Sequence, residues 1–314
     1  MNTKTNPALL RVIVAYFMIY VVWGSTYYFI GVALKELTPM LLGAIRFTLA
    51  GSLLFLWSAI RKEPVWQWSM IWRSAISGVI LLFVDMAVVM IAQTFISSSL
   101  VAIIASSTAI WIAALDIPSW RRNFGSWQKM TGLIIGFIGV ALLFFEQLMT
   151  ESGHTNSEYG VLLLCFGCMS WALGTLFAKY RSSGAEHVNA SAGTAWQMLV
   201  AGFLFWIVAF SIGDVQQASF PEISMKVWLT VLYLVFMGSI VAYSSYIWLL
   251  KVRPAVEVST HAYVNPVIAI FFGAMLGGEH ITFIQVAGLA VILTSVMLVN
   301  KQSWKSISSS DLKK

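Results

Sequence analysis

From Ser74 to Leu115 the chain runs on apolar residues with Asp85 as its sole charge. A helix needs about 20 apolar residues to cross a ~30 Å hydrocarbon core. This stretch is about two crossings long, so it has to fold back once, most naturally at Ser97-Ser98-Ser99. The pattern holds along the whole chain: 10% of the 314 residues are charged and 59% are hydrophobic, where a soluble domain is about one quarter charged. That leaves too little polar side chain to cover a surface facing water. The runs are continuous and rich in Leu, Ile and Val, unlike the short alternating segments of a membrane β-barrel. The expected fold class is all-α integral membrane.

Charges and turn residues cut the chain into ten spans, near residues 12–34, 38–60, 74–95, 97–116, 127–146, 159–179, 189–212, 227–250, 255–276 and 281–300. The first follows Lys4 and Arg11, exceeds a signal-peptide core in length and has no small-x-small cleavage site, so it reads as an uncleaved helix. The longest loop, around residues 147–158, leaves no room for an extramembrane domain.

The net charge of +6 sits in short loops, one to three basic residues at a time, and forms no nucleic-acid patch. With a cytoplasmic N-terminus, 16 of the 19 Lys and Arg residues lie inside, Lys35 and Lys226 outside, and Arg46 within span 2. Positive residues collect on the cytoplasmic side, so both termini are expected there. Cys165 and Cys168 have C-x-x-C spacing but fall in an apolar span, where thiols act as small hydrophobes.

Two halves can be traced. Trp23-Gly24-Ser25-Thr26 in span 1 has a counterpart in Trp171-Ala172-Leu173-Gly174-Thr175 in span 6. Ala50-Gly51 matches Ala201-Gly202, and Gly132-Leu133 matches Gly288-Leu289. Five spans per half is an odd number, so the repeats are inverted, a plan transporters use to rock one half against the other. The expected units are residues 1–147 and 157–300, with a cytoplasmic tail at 301–314.

Trp23 to Tyr27 (W-G-S-T-Y), Arg46-Phe47, Gly238 to Tyr243 (G-S-I-V-A-Y), and Ala262 to Ala269 followed by Gly277-Gly278-Glu279 carry a resemblance. Over nearly its whole length the chain resembles the EamA-type transporters of the drug/metabolite transporter superfamily. That resemblance implies ten helices in two inverted bundles, a central cavity, and often export of amino acids or related metabolites. Members commonly carry a proline midway along span 4; Ala109 stands there in this sequence, while Pro266 is present in the second half.

Ionisable residues inside a membrane are costly and mark function or pairing. Arg46 and Asp85 both fall some ~15 Å deep at 1.5 Å per residue. They are read either as a charge pair that fixes packing, or with Asp85 binding a substrate amine or a proton and Arg46 facing a carboxylate. Glu257 and His261 are four apart and share a helix face. With Asp85 they are the proton-coupling candidates, the other reading being an inner-gate hydrogen bond. Asp116 and Lys251 lie near the cytoplasmic face, where snorkelling explains them.

Asn265-Pro266 is expected to interrupt span 9, because proline withholds the N–H that Ala262's carbonyl would accept. His261, Tyr263 and Asn265 would then line a wet cavity. The deep aromatics Trp23, Trp111, Trp171, Tyr243 and Tyr246, with Ser107, complete the expected substrate-binding set. Trp66, Trp68, Trp72, Trp120 and Trp127 read as an interfacial belt.

The sequence has no Walker loop, no H-E-x-x-H or G-x-S-x-G, and no clustered Cys/His, so neither cofactor nor metal is expected. The leading function is a secondary transporter exporting small amphipathic metabolites such as amino acids across a bacterial inner membrane. The alternatives are an importer or facilitator of the same fold and an intramembrane enzyme. Expected partners are a small-molecule substrate, the lipid bilayer and, as coupling ion, protons; no feature specifies an oligomeric state.

Overall fold

The computed structural model describes residues 7–92, 98–145, 149, 157–181, 190–277 and 282–311. Among these residues the chain is helical throughout, with no strand. Eight helices are long and apolar enough to cross a membrane. They are α1 (Leu9–Ala33), α2 (Pro39–Ile60), α3 (Trp68–Val89), α6 (Glu158–Tyr180), α7 (Ser191–Ser211), α8 (Met225–Val252), α9 (Ala255–Leu276) and α10 (Phe283–Asn300). Between α3 and α6 lie α4 (Ile103–Leu115), bent by 70° into a short helix Ile117–Phe124, and the shorter apolar α5 (Trp127–Leu143).

Local chemistry sets several ends. Pro39 opens α2, where its missing N–H costs nothing, and Thr38 Oγ1 accepts from the Leu41 N–H at 3.3 Å. Ser224 caps α8 in the same way, accepting from the Val227 N–H at 3.4 Å. Beyond α7, Gly213 turns the chain with φ of 85°, a conformation that favours glycine. Ser98 and Ser99 of the expected fold-back are helical, in the helix Ser98–Ser106, and Ser97 lies outside the described residues.

Three helices carry π-helical segments: Met18–Val22 in α1, Val79–Val84 in α3 and Leu234–Tyr243 in α8. Such i→i+5 stretches are rare and gather at functional sites. The expected break at Pro266 needs correction. The helix His261–Gly277 continues through Pro266, and the irregularity in α9 is instead at Ser259-Thr260. In the helix that begins at Ser98 and includes α4, a single turn residue, Ser107, interrupts the pattern without any proline. Ser106 Oγ donates back to the Ile103 carbonyl at 2.6 Å, a competing bond that bends helices.

Small residues set the closest helix pairs. Gly132 and Gly139 of α5 meet Val299 and Ile292 of α10, while Gly51 of α2 meets Leu199 of α7. Gly174 of α6 meets Leu81 of α3, and Gly24 of α1 meets Ile268 of α9. Further pairs are α1 with α8, α4 with α6, α3 with α7, and α2 with α8. Large apolar side chains such as Leu56, Phe203, Phe236 and Phe283 point outward, as lipid requires, and the five belt tryptophans are exposed.

Candidate site where four helices meet

Four rings gather around Trp23, the first residue after the π segment of α1. Its indole lies 5.9 Å from Trp171 (α6), 6.3 Å from Tyr243 and 5.2 Å from Tyr246 (α8), and 5.2 Å from His261 (α9), between centroids. Offset or edgewise rings at such distances attract beyond their buried area. Most polar edges are tied down. Trp23 Nε1 donates to the Gly238 carbonyl at 2.9 Å, inside the α8 π segment. Tyr243 donates to Gln197 Oε1 at 2.7 Å, Tyr246 shares a 2.5 Å hydrogen bond with Thr175, and His261 Nδ1 donates to the Val258 carbonyl at 2.9 Å. The Trp171 indole nitrogen is buried without a hydrogen-bond partner among the described residues. Sequence reasoning named all five rings.

The other expected site residues stand apart. Tyr263 turns to α5, donating to the Leu133 carbonyl at 2.9 Å. Asn265, with its amide nitrogen toward α1, comes within 2.9 Å of the Ile19 carbonyl and 3.1 Å of that of Tyr20. Those carbonyls belong to the Met18–Val22 π segment, so Asn265 satisfies backbone there. Trp111 is half-buried against the main core and has no ring contact with the group among the described residues. Ser107 lies at the break in the helix of α4, beside Cys168 of α6.

The expected Arg46–Asp85 pair is not formed. Arg46 is buried, donates from Nε to Ser239 Oγ at 2.7 Å, and its guanidinium carbon lies 5.1 Å from the centroid of Phe47's ring. Asp85, immediately after the α3 π segment, is half-buried and makes no ion pair or hydrogen bond among the described residues. One carboxylate oxygen lies 3.7 Å from where a Cβ on Gly167 of α6 would be. Tyr27, Cys168 and Tyr246 are within its electrostatic reach, so it faces the interior between α1, α3 and α6.

The Glu257–His261 pairing is also replaced. Glu257 Oε1 lies 3.5 Å from Lys129 Nζ of α5, with both side chains at most 3% exposed, while His261 faces the rings. Lys129 is therefore a core residue. Asp116 does not snorkel: it is fully buried, accepts from the Tyr180 hydroxyl at 2.5 Å and from Asn123 Nδ2 at 3.5 Å. Lys179 caps the end of α8, donating to the Leu250 and Arg253 carbonyls at 2.7 Å each. At the other end of the helices, Glu36 accepts from Ser224, and Thr38 donates to Asp214.

Gln197, Thr175 and Tyr27 were missed. Gln197 was findable, being a polar residue inside an apolar span, the signal that picked out Arg46. Thr175 and Tyr27 each lie in a motif noted for the repeat or the resemblance, where the aromatic neighbours drew the attention.

The sequence pattern of the EamA-like transporter family matches residues 10–145 and again 158–301. The chain belongs to this family. It is 31% identical over 297 residues to an uncharacterized inner membrane transporter of Escherichia coli strain K12, YedA, covering 93% of this chain and 91% of that one. An uncharacterized transporter of Bacillus subtilis, YvbV, is 27% identical, covering 96% and 93%. A solved structure superposes with a TM-score of 0.76 at 16% identity, covering 94% of this chain and 98% of that one, which supports the fold alone. This EamA-family chain is a multi-pass membrane protein and a membrane transporter.

Proposed function

We propose that the chain is a secondary transporter that exports small amphipathic metabolites, amino acids among them, across a bacterial inner membrane by alternating access. Both termini are placed in the cytoplasm, and ten helices form two inverted five-helix repeats. The observation that carries the reading is the ring cluster: α1 of the first half meets α6, α8 and α9 of the second around Trp23. A rigid aromatic surface with fixed polar edges suits an amphipathic solute.

The helix contacts support the inverted repeat. Exchanging each helix with the one five places along maps the pairs α5–α10 and α2–α7 onto themselves. It also turns α3–α6 into α8–α1, α4–α6 into α9–α1, and α3–α7 into α8–α2, each of which is present. The buried Lys129–Glu257 pair joins the halves near the ends assigned to the cytoplasm, and opening there requires that it part. A proton-driven cycle has ~2.3 kcal/mol available per charge per 100 mV.

Counterflow in reconstituted vesicles tests the reading. Labelled solute should accumulate transiently against a load of the same unlabelled solute and be recovered intact. Chemically altered product, or no protein-dependent flux of any solute released by overexpressing cells, would overturn it.

A further inference from the structure

We infer that the site selects a cationic amine, held by Asp85 at the edge of the ring cluster, and does not require a carboxylate on the substrate. The inference rests on the transport reading above and adds the charge class of the substrate. Among the described acidic residues inside the helices, Glu257 faces Lys129 and Asp116 is held by Tyr180 and Asn123, while Asp85 has neither hydrogen bond nor ion pair. An uncompensated carboxylate at this depth is costly, and a bound cation removes that cost.

Access and surroundings agree. Asp85 retains accessible surface while lying against Gly167 and within electrostatic reach of Tyr27 and Tyr246, so that surface opens between helices. Tyr27, one helical turn beyond Trp23, is 46% exposed. Aromatic faces are the negative part of the ring quadrupole, so the partly exposed Trp23 and Trp171 favour a cation over their faces and disfavour an anion. Arg46 is the counterargument, since it could take a carboxylate. It is only 7% exposed, its Nε is committed to Ser239, and its plane lies beside Phe47 and the Gly238 backbone. The accessible deep charge is therefore the negative one.

Three probes share one ring and differ in charge: phenethylamine, phenylalanine and 3-phenylpropionate. Binding to the purified full chain in detergent is read by titration calorimetry and by the rise in melting temperature. Phenethylamine should bind, 3-phenylpropionate should bind at least tenfold more weakly, and phenylalanine should gain nothing over the amine. Asp85→Asn should weaken phenethylamine at least tenfold in a protein that still melts cooperatively. Asp85→Glu should keep most of the affinity, which guards against Asp85→Asn failing to fold. Unchanged amine binding in Asp85→Asn, loss of it in a folded Asp85→Glu, tighter binding of phenylalanine or the acid, or no binding of any probe would each overturn the inference. Counterflow of a different solute by the same preparation would leave the transport reading standing in every one of those cases.

Discussion

Lys129 Nζ and Glu257 Oε1 lie 3.5 Å apart in a setting where neither side chain is more than 3% exposed. Removing one member of a buried pair strands the other charge and costs about 3–5 kcal/mol, whereas replacing both by apolar residues is often neutral. Glu257→Gln and Lys129→Met should therefore each lower the melting temperature in detergent. The double variant Lys129→Met/Glu257→Leu should recover most of the loss. In that variant a cysteine placed near Ala255, at the start of α9, should label faster, because the halves part more easily there.

Trp23 touches four other rings and the Gly238 carbonyl. Trp23→Ala should cost about 3–5 kcal/mol, the usual loss for a large buried aromatic, and should abolish flux. Trp23→Phe keeps a ring but drops the indole donor, so it should lose about 1–3 kcal/mol and retain measurable counterflow. A melting curve and a flux assay on each variant check both statements.

Two glycines should respond in opposite ways to an added methyl. A Cβ on Gly78 would press into the Gln197 backbone, whereas one on Gly31 meets nothing within 4 Å. Gly78→Ala should destabilise by about 1–3 kcal/mol through overpacking and disturb the Gln197–Tyr243 hydrogen bond. Gly31→Ala should stay within about 1 kcal/mol of the parent, the range of helix propensity. Equal melting temperatures for the two variants would contradict the packing described.

Asn265→Ala should cost about 1–3 kcal/mol, since it removes the side-chain amide that donates to the Ile19 and Tyr20 carbonyls of the α1 π segment. Asn265→Asp should be at least as harmful, because a carboxylate accepts where a donor is needed. Thermal melting with flux at matched protein amounts separates this backbone role from a substrate contact.

The all-helical membrane fold was legible from long charge-free runs, because the bilayer thickness ties run length to a helical crossing. The five rings were legible for a related reason: large side chains with polar edges stand out inside apolar spans. Partnerships were not. Glu257 and His261 share a helix face in sequence, yet the carboxylate turns to Lys129 on α5, a contact that no local spacing encodes. The π segments were equally hidden, since they alter hydrogen-bond register without altering composition. Pro266 drew the prediction of a break, but Ser107 and Ser259-Thr260 mark the irregular places, where hydroxyls compete for backbone carbonyls.

Orientation has a direct test. A cysteine at Ser152 should react with a membrane-impermeant reagent added to intact cells, and one at Ser310 should react only after permeabilisation. The reverse pattern would invert the topology proposed from the basic residues. The native Cys165 and Cys168 lie within α6 and supply the background control.

The last helix outlasts its apolar stretch: helix runs from Phe283 to Asp311, 29 residues, or ~43 Å at 1.5 Å per residue. A hydrocarbon layer of ~30 Å accounts for the apolar part, and the last ~13 Å of helix, ending at Asp311, extends past it. A reporter domain fused after it would inherit the direction of α10 instead of tumbling on a loose tether. Its polarisation relative to the membrane plane would then register any tilt of α10, and with it of α5, to which α10 is bound through Gly132 and Gly139.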